Sequence, residues 1–224
     1  MIGYAITTTP KRFDKERDYF SKINKEKDFT FLYNDEELNG VASAKNECIK
    51  SMYDAGCDYF VLMDDDTKIK KKGLGKFLIK KHKETGIEHF SIAGKGAKAV
   101  SKKMGCTQWD KGAGVMIFCT RKIIDTVGYM NIEYPSKWGH SHIGWSIRVL
   151  KSGFMKPFTG WRVSPDGIEN YFYSEDIHGD GLHEQNYSKD EKDKAMVLNK
   201  KEFIKETTRV NRYYEFSTKS TLHK

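Results

Sequence analysis

The feature that most constrains the fold is an unbroken apolar run, Tyr59 to Met63, which ends abruptly in three aspartates. Such a run is typical of a strand covered on both faces, as strands of a parallel sheet are. Adjacent carboxylates repel one another, and a bound hard cation or proton uptake relieves that repulsion. We therefore predict a metal here, with an acidic surface turn as the alternative. Side chains alternate along extended backbone, so Asp64 and Asp66 are expected to point to one side and Asp65 to the other.

Strand and helix patterns alternate along the rest of the chain. Apolar residues from Val41 to Ala55 recur at three- and four-residue intervals, and Gly56 is a plausible helix stop. Strands are also predicted at 2–7, 29–33, 89–93 and 112–119, and helices at 14–23, 73–85, 121–127, 141–152 and 191–207. This alternation predicts one α/β domain with an open, mostly parallel central sheet flanked by helices. Ligands of such sheets bind outside the carboxyl ends of the strands.

Composition limits the class of protein. A hydrophobic fraction of 38% is too high for a disordered chain. The formal net charge of +8 is typical of proteins that bind polyanions, although it also serves solubility. The four cysteines contain no CxxC pair, which favours reduced thiols. Without an apolar stretch of membrane-spanning length or a signal peptide, we expect a cytoplasmic protein with no membrane partner.

Three segments together resemble a known family. The strand end "DYFVLMDDDT", the helix segment "SAKNECI" before it and the turn "TTTPKR" after the first strand are similar, in kind and order, to the donor half of GT-A glycosyltransferases, especially the family-two-like group. The resemblance implies a Rossmann-like GT-A domain over 1–224. Residues 1–100 would bind the nucleotide sugar, 101–200 would form the acceptor half, and 201–224 would be a basic tail.

The resemblance also implies roles for single residues in the donor half. Thr8 and Thr9 would line the nucleoside pocket, with Arg12 in the same turn. Asp35 would meet the base or ribose, and Lys45 would approach the base or phosphates.

In this family an Asp-x-Asp holds Mn²⁺ or Mg²⁺ on the donor diphosphate. Asp64 and Asp66 would accordingly take the metal and ribose roles, with Asp65 beside them in the donor site. The donor implied by family habit is a UDP-sugar.

The acceptor half departs from the family pattern. "GAGVMIFCTRKIIDTVGYMN" and "WGHSHIGWSIRVLKSG" resemble acceptor-side segments, but Ser141 stands where the family carries the glutamate that acts as base. Deprotonation of the acceptor would then fall to His142, to His140, to a carboxylate such as Asp66, or to no residue, as in retaining enzymes. A histidine with a pKa near neutrality can do this work. Alternatively, the two histidines cap the helix or bind phosphate.

A C-terminal histidine often completes the metal site in GT-A enzymes. The polar segment "SEDIHGDGLHEQN" offers His178 and His183, and we favour His183. A histidine in a surface loop is the alternative interpretation.

The acceptor class stays open at this level. Positive charge and a basic-aromatic tail with Arg209 and Arg212 suit transfer to a hydroxymethylated base in DNA, as in some bacteriophage glycosyltransferases. A glycan or polysaccharide precursor is the competing acceptor, and a non-catalytic nucleic-acid-binding protein is the alternative from another class. A nucleotidylyltransferase is the rival enzyme, but it normally carries a glycine-rich loop where this chain has Thr7 to Arg12.

Overall fold

A central sheet of five strands organises the structure, which is a computed structural model. It describes residues 1–14, 29–37, 39–136, 139–178, 188–208 and 213–216, but not the side chains of residues 176 and 189. The strands are β1 (Ile2–Thr8), β2 (Phe29–Asn34), β3 (Tyr59–Asp64), β4 (Thr67–Ile69), β5 (His89–Ala93), β6 (Ala99–Lys103), β7 (Cys106–Trp109), β8 (Gly112–Thr120), β9 (Val163–Pro165) and β10 (Phe172–Ser174). The helices are α1 (Val41–Asp54), α2 (Leu74–Thr85), α3 (Arg121–Val127), α4 (Ser141–Lys151), α5 (Glu175–His178) and α6 (Lys189–Thr208), and a 3-10 turn covers Ile168–Asn170.

The strand order of the sheet is β2-β1-β3-β8-β5. Strand β1 is parallel to both β2 and β3, whereas β8 is antiparallel to β3 and to β5. Four strands therefore share one direction, which confirms the predicted α/β fold with a mostly parallel sheet. The reversed strand β8 begins at the edge where the other strands end, so its first residues lie at the predicted ligand edge.

Burial explains why the apolar run forms the middle of the sheet. Phe60 and Val61 are fully buried, and Leu62 and Met63 are 1% exposed. Strand β3 lies between β1 and β8, so neither of its edges is free. The run is followed directly by the turn that carries the remaining aspartates.

Helix α1 packs closely on one face of this sheet. Cys48, Ile49 and Met52, which recur on one side of the helix, are all fully buried. A Cβ added at Gly3 of β1 would lie 2.7 Å from the Met52 sulfur, so glycine permits the close approach of helix and strand. This packing fixes the helix that carries Lys45 relative to the strand that carries Asp64.

Two small sheets, absent from the sequence predictions, complete the site edge. Strand β10 pairs antiparallel with β4, placing Ser174 opposite Thr67. Strands β6, β7 and β9 form a second antiparallel sheet in that order. These pairings return residues 163–174 to the edge where the aspartates lie.

The structure also bears on the expected state of the cysteines, the predicted helix at 14–23 and the membrane-spanning length of helices. All four cysteines are free and buried, as predicted for reduced thiols. The predicted helix at 14–23 lies, after its first residue, outside the described residues. No helix within the described ranges is long and apolar enough to cross a membrane.

Candidate active site at the carboxyl edge of the sheet

The ends of β1 and β3 lie side by side and bring their polar side chains together. Thr7 is paired with Asp64 across the two parallel strands. The Thr7 hydroxyl lies 3.4 Å from Asp64 Oδ1 as a donor. Parallel strands that end together deliver their last side chains to one edge, which is where an open α/β sheet binds ligands.

Asp64 forms the electrostatic centre of this edge with Lys45. The Lys45 ammonium donates to Asp64 Oδ1 at 2.6 Å and to the carbonyl of Gly114 at 3.3 Å. Lys45 is 1% exposed, whereas 34% of the Asp64 side chain is exposed. Desolvation raises the pKa of Asp64 to about 6 against the opposing effect of Lys45, and the charges of Asp66 and Asp65 raise it further. The site therefore holds excess negative charge that faces outward.

Asp65 is tied to the turn after β1. It accepts a hydrogen bond from the Thr8 hydroxyl at 2.9 Å and a charged one from Arg12 Nη1 at 2.6 Å. Arg12 is 19% exposed and Asp65 10% exposed at their side chains. The turn Thr8–Arg12, which the resemblance assigns to the nucleoside pocket, thus lies against the aspartates. Thr9 is part of the same turn, where its carbonyl accepts the Arg12 amide.

Asp66 faces a different partner. It is 8% exposed, and its Oδ2 accepts a hydrogen bond from the buried Ser174 hydroxyl at 2.8 Å. Strand β3 ends at Asp64 and the next two residues form a turn, so the expected alternation of side chains does not extend past Asp64. Asp64, Asp65 and Asp66 consequently contact three different elements: α1, the β1 turn and β10.

Asp35 stabilises the loop that leads into α1. Its two carboxylate oxygens accept the backbone amides of Asn39 at 2.8 Å and Gly40 at 3.0 Å, and the residue is 6% exposed. The structure therefore shows Asp35 holding backbone at the start of α1. Its expected contact with a base or ribose stays a prediction.

His142 reaches the site from the acceptor half. A Cβ added at Gly114 would lie 2.7 Å from the His142 ring, so the imidazole packs directly against β8 beside the carbonyl that accepts from Lys45. The side chain is only partly buried, yet desolvation, with a smaller effect of the Lys45 charge, lowers the pKa of His142 to about 3. At neutral pH the ring is therefore uncharged.

His140 has a different setting. It precedes α4 with a positive φ of 65°, and its ring stacks on Phe203 of α6 at 4.4 Å between ring centroids. Burial lowers the pKa of His140 as well. The structure places this ring in the contact between the α4 start and α6, whereas the His142 ring packs against β8.

Ser141, where the family pattern has a carboxylate, is 5% exposed. It lines a groove between the first turns of α1 and α4, together with Gly40, Ser43 and Asn131. A serine hydroxyl is not a base at neutral pH. Ser141 therefore does not replace the missing carboxylate as a base.

The histidine predicted to complete a metal site, His183, lies outside the described residues. His178 ends α5, its ring stacks on Tyr173, and its Nδ1 lies 3.1 Å from the Ser174 amide. Across the described part of the chain, no group of three or more histidine, cysteine, aspartate or glutamate side chains is arranged to hold a metal. The further ligands of a metal ion at Asp64 and Asp66 would come from its substrate, from water or from residues outside the described ranges, and His183 stays a prediction.

Two residues of this site were missed by sequence reasoning. Ser174 binds Asp66, and Gly114 makes room for the His142 ring. The glycine-rich start of β8 carried a signal, because glycine within a strand often marks the close approach of another group. Nothing local in the sequence marks Ser174.

Comparison with known proteins bears on the family. No protein-family model matches the chain. The chain is 31% identical over 134 residues to the uncharacterized glycosyltransferase R363 of Acanthamoeba polyphaga mimivirus. The matched region covers 56% of this chain and 51% of the mimivirus protein. The chain resembles glycosyltransferases. That match confirms the resemblance found in the sequence motifs, although the chain spans only about half the length of this relative.

Solved structures show weaker likeness. The mannosyltransferase PcManGT from Pyrobaculum calidifontis, in complex with GDP-Man and Mn²⁺, is 9% identical, with 75% of this chain and 55% of that chain covered and a TM-score of 0.49. A Bacillus anthracis protein assigned as a glucose-1-phosphate thymidylyltransferase is 10% identical, with 83% and 78% covered and a TM-score of 0.47. Neither likeness, with a TM-score below 0.5, discriminates between the two enzyme classes.

Proposed function

We propose that this chain is a glycosyltransferase that moves a sugar from a nucleotide diphosphate donor to an acceptor hydroxyl. One observation carries the proposal: Lys45 joins Asp64 of the donor half to the carbonyl of Gly114, the residue against which His142 of the acceptor half packs. A carboxylate suited to a metal-bound diphosphate and an imidazole suited to a hydroxyl thus share one edge of the sheet. The mimivirus relative, itself described as a glycosyltransferase, supports the same reaction class.

The carboxylates fit a divalent metal ion that is shared with the donor. Mg²⁺ is commonly held by one or two carboxylates plus substrate phosphates rather than by an all-protein cage. Asp64 and Asp66 would supply two hard oxygen ligands, and a third of the Asp64 side chain is exposed. When bound, Mn²⁺ or Mg²⁺ would neutralise the charge that develops on the departing diphosphate.

The chain's own residues hold this arrangement in place. Lys45 keeps Asp64 ionised and oriented through a bond of 2.6 Å. Arg12 and Thr8 fix Asp65, and the Arg12 guanidinium is our candidate for binding a phosphate of the donor. Asp35 holds the loop at the start of α1 and so positions the helix that carries Lys45.

His142 is our candidate for the base, in preference to His140 and Asp66. Its ring is uncharged at neutral pH, the state that a base requires. A pKa near 3 makes it a weak base in the free protein, so this role requires that the bound substrates raise the pKa of His142 toward the range in which proton transfer is efficient. His140 stacks on Phe203, and the proposed metal role of Asp66 leaves that carboxylate unavailable as a base.

For the finer identity of the substrates, we propose a UDP-sugar donor and a hydroxymethylated base in DNA as acceptor. The net charge of +8 supports a polyanionic acceptor. Arg209 and Arg212 of the basic tail lie outside the described residues. A glycan or polysaccharide precursor is the competing acceptor, and it would leave the donor chemistry unchanged.

The test is release of nucleoside diphosphate from a panel of UDP-, GDP- and dTDP-sugars with and without Mn²⁺. We expect metal-dependent release that Asp64→Asn and Asp66→Asn each abolish. Asp193→Asn, an exposed position on α6, is the matched control and should be fully active. Pyrophosphate release from a nucleoside triphosphate and a sugar phosphate would instead establish a nucleotidylyltransferase, and equal activity in all three variants would refute the site.

A further inference from the structure

An exposed set of lysines begins directly beside the aspartates. Lys68 of β4 donates to the Asp65 carbonyl at 3.5 Å, and the chain continues from β4 into three consecutive exposed lysines. We define the lysine face as the exposed residues Lys70, Lys71, Lys72, Lys76, Lys80, Lys102 and Lys103. Positively charged side chains therefore extend from the candidate active site along the chain toward α2.

Aromatic contacts fix the first part of this face on α2. Phe77 of α2 stacks on Tyr171, with 4.6 Å between ring centroids. The Lys71 ammonium lies 5.6 Å from the centroid of the same Tyr171 ring. The loop of three lysines and α2 thus both pack against Tyr171. Lys76 and Lys80 extend the positive charge along one face of α2 at an i, i+4 spacing.

The β6–β7 hairpin adds the second part. A Cβ added at Gly105, in the hairpin turn, would lie 3.0 Å from the Lys81 ammonium of α2. The turn therefore lies against the helix, and Lys102 and Lys103, at the end of β6, are beside it. The lysines of α2 and those at the end of β6, which are separated in sequence by β5, thus contribute to one basic surface.

Much of this charge is not neutralised. Within the described ranges, Lys72, Lys76, Lys102 and Lys103 make no ion pair. Lys80 lies 3.7 Å from Glu84, an exposed pair that contributes little. A surface that holds this many unpaired lysines is stabilised most by a ligand that carries many negative charges.

The distribution of the lysines on α2 favours a phosphate backbone over an anionic membrane as the ligand. Along the twelve residues of α2, about 18 Å at 1.5 Å per residue, the solvent side carries lysines. The apolar residues Leu74 and Leu78 of this helix are 1% and 0% exposed. A helix that binds a membrane surface needs an exposed apolar face beside its basic one, and α2 has none. Val100 and Met104 of the hairpin are exposed, which makes anionic vesicles the necessary comparison.

We propose that the lysine face binds the phosphate backbone of duplex DNA and leads it toward Asp64. The binding of DNA by the lysine face does not depend on the proposed function. The further idea that this DNA accepts a sugar does rest on it. Lysine suits this task because an ammonium contacts phosphate as a point charge and needs no fixed base sequence.

The test measures binding of a fluorescent DNA duplex by anisotropy over a range of salt concentrations. The variant is Lys72→Gln/Lys76→Gln/Lys80→Gln, and the matched control is Lys194→Gln/Lys200→Gln/Lys201→Gln, with the same charge change at exposed positions of α6. Each lost phosphate contact reduces the slope of log K against log salt by about 0.9, so we expect the slope to fall by roughly 2 to 3. Affinity at about 0.1 M salt should fall tenfold or more in the variant and less than twofold in the control.

Three results separate this proposal from the proposed function. Equal loss in both triple variants, or binding to phosphatidylserine vesicles in preference to DNA, would refute the lysine face. DNA binding that depends on the lysine face, without sugar transfer from any donor, would support the face and count against the proposed function. Sugar transfer to DNA that is unaffected by the triple variant would support the function and refute the face. Unchanged melting temperatures establish that both variants are folded.

Discussion

Replacing Lys45 with methionine is the most direct test of the electrostatics at the candidate site. Methionine retains much of the length of the lysine side chain and removes its charge. Lys45 is 1% exposed, and its ammonium bonds Asp64 at 2.6 Å and the Gly114 carbonyl at 3.3 Å. The substitution thus leaves Asp64 beside Asp65 and Asp66 without its nearest positive charge.

The expected magnitude follows from the exposure of each partner. Breaking a fully buried ion pair by removing one partner costs about 3–5 kcal/mol. Because 34% of the Asp64 side chain is exposed, solvent screens the remaining charge, and we expect a loss of about 1–2 kcal/mol in the free energy of unfolding. Lys50→Met, on the same helix, removes a lysine from the exposed pair with Asp54 and should change stability by less than about 0.5 kcal/mol.

The pH dependence has a definite sign. The pKa of Asp64 is raised from 3.8 to about 6, so the folded protein binds this proton more tightly than the unfolded chain. The stability that protonated Asp64 contributes is present below about pH 4 and is lost as pH rises through the folded pKa. Without Lys45 that pKa rises further, so the deficit of Lys45→Met relative to the wild type should grow between pH 6 and about pH 8.

The assay is urea unfolding at several pH values, combined with a double-mutant cycle of Lys45→Met and Asp64→Asn. We expect the two substitutions to be coupled by at least about 0.5 kcal/mol, because they interrupt one contact. Strict additivity, or full metal-dependent donor binding by Lys45→Met, would refute the assigned role of the pair.

Three further predictions concern other parts of the structure. His142→Ala should reduce turnover roughly a hundredfold while the donor still raises the melting temperature, and an effect on donor affinity alone would make it a binding residue. Gly75→Ala should destabilise the protein by about 1–3 kcal/mol in urea unfolding, because the added Cβ would lie 2.5 Å from Ile2 Cδ1 and against the Tyr4 hydroxyl; a smaller change would mean that α2 shifts freely on β1. Burial lowers the pKa of His89 from 6.5 to about 4, so the free energy of unfolding should fall as pH drops from 6.5 to 4, by at most about 1.4 kcal/mol per pH unit. His89→Gln should show a shallower fall over the same range, and an identical slope would contradict the assignment.

The sequence by itself determined the elements that depend on local pattern. The apolar run at 59–63 predicted β3 because a strand buried on both faces needs apolar residues at every position, and the structure shows it buried between β1 and β8. The spacing of Cys48, Ile49 and Met52 predicted α1 because one face of a helix repeats every 3.6 residues. The convergence of Thr8, Asp64 and Asp65 was likewise predictable, since parallel strands end at the same edge.

Only the tertiary structure decided which distant groups meet at that edge. Asp66 is bound by Ser174, 108 positions away, and the Lys45 ammonium reaches the carbonyl of Gly114, 69 positions away. The reversed direction of β8 and the pairing of β10 with β4 create these contacts. Local periodicity records whether a segment is helix or strand and which face it buries, but not which partner it pairs with or in which direction. That choice depends on the packing of the whole sheet, and it placed His142 at the site while leaving His140 stacked on Phe203.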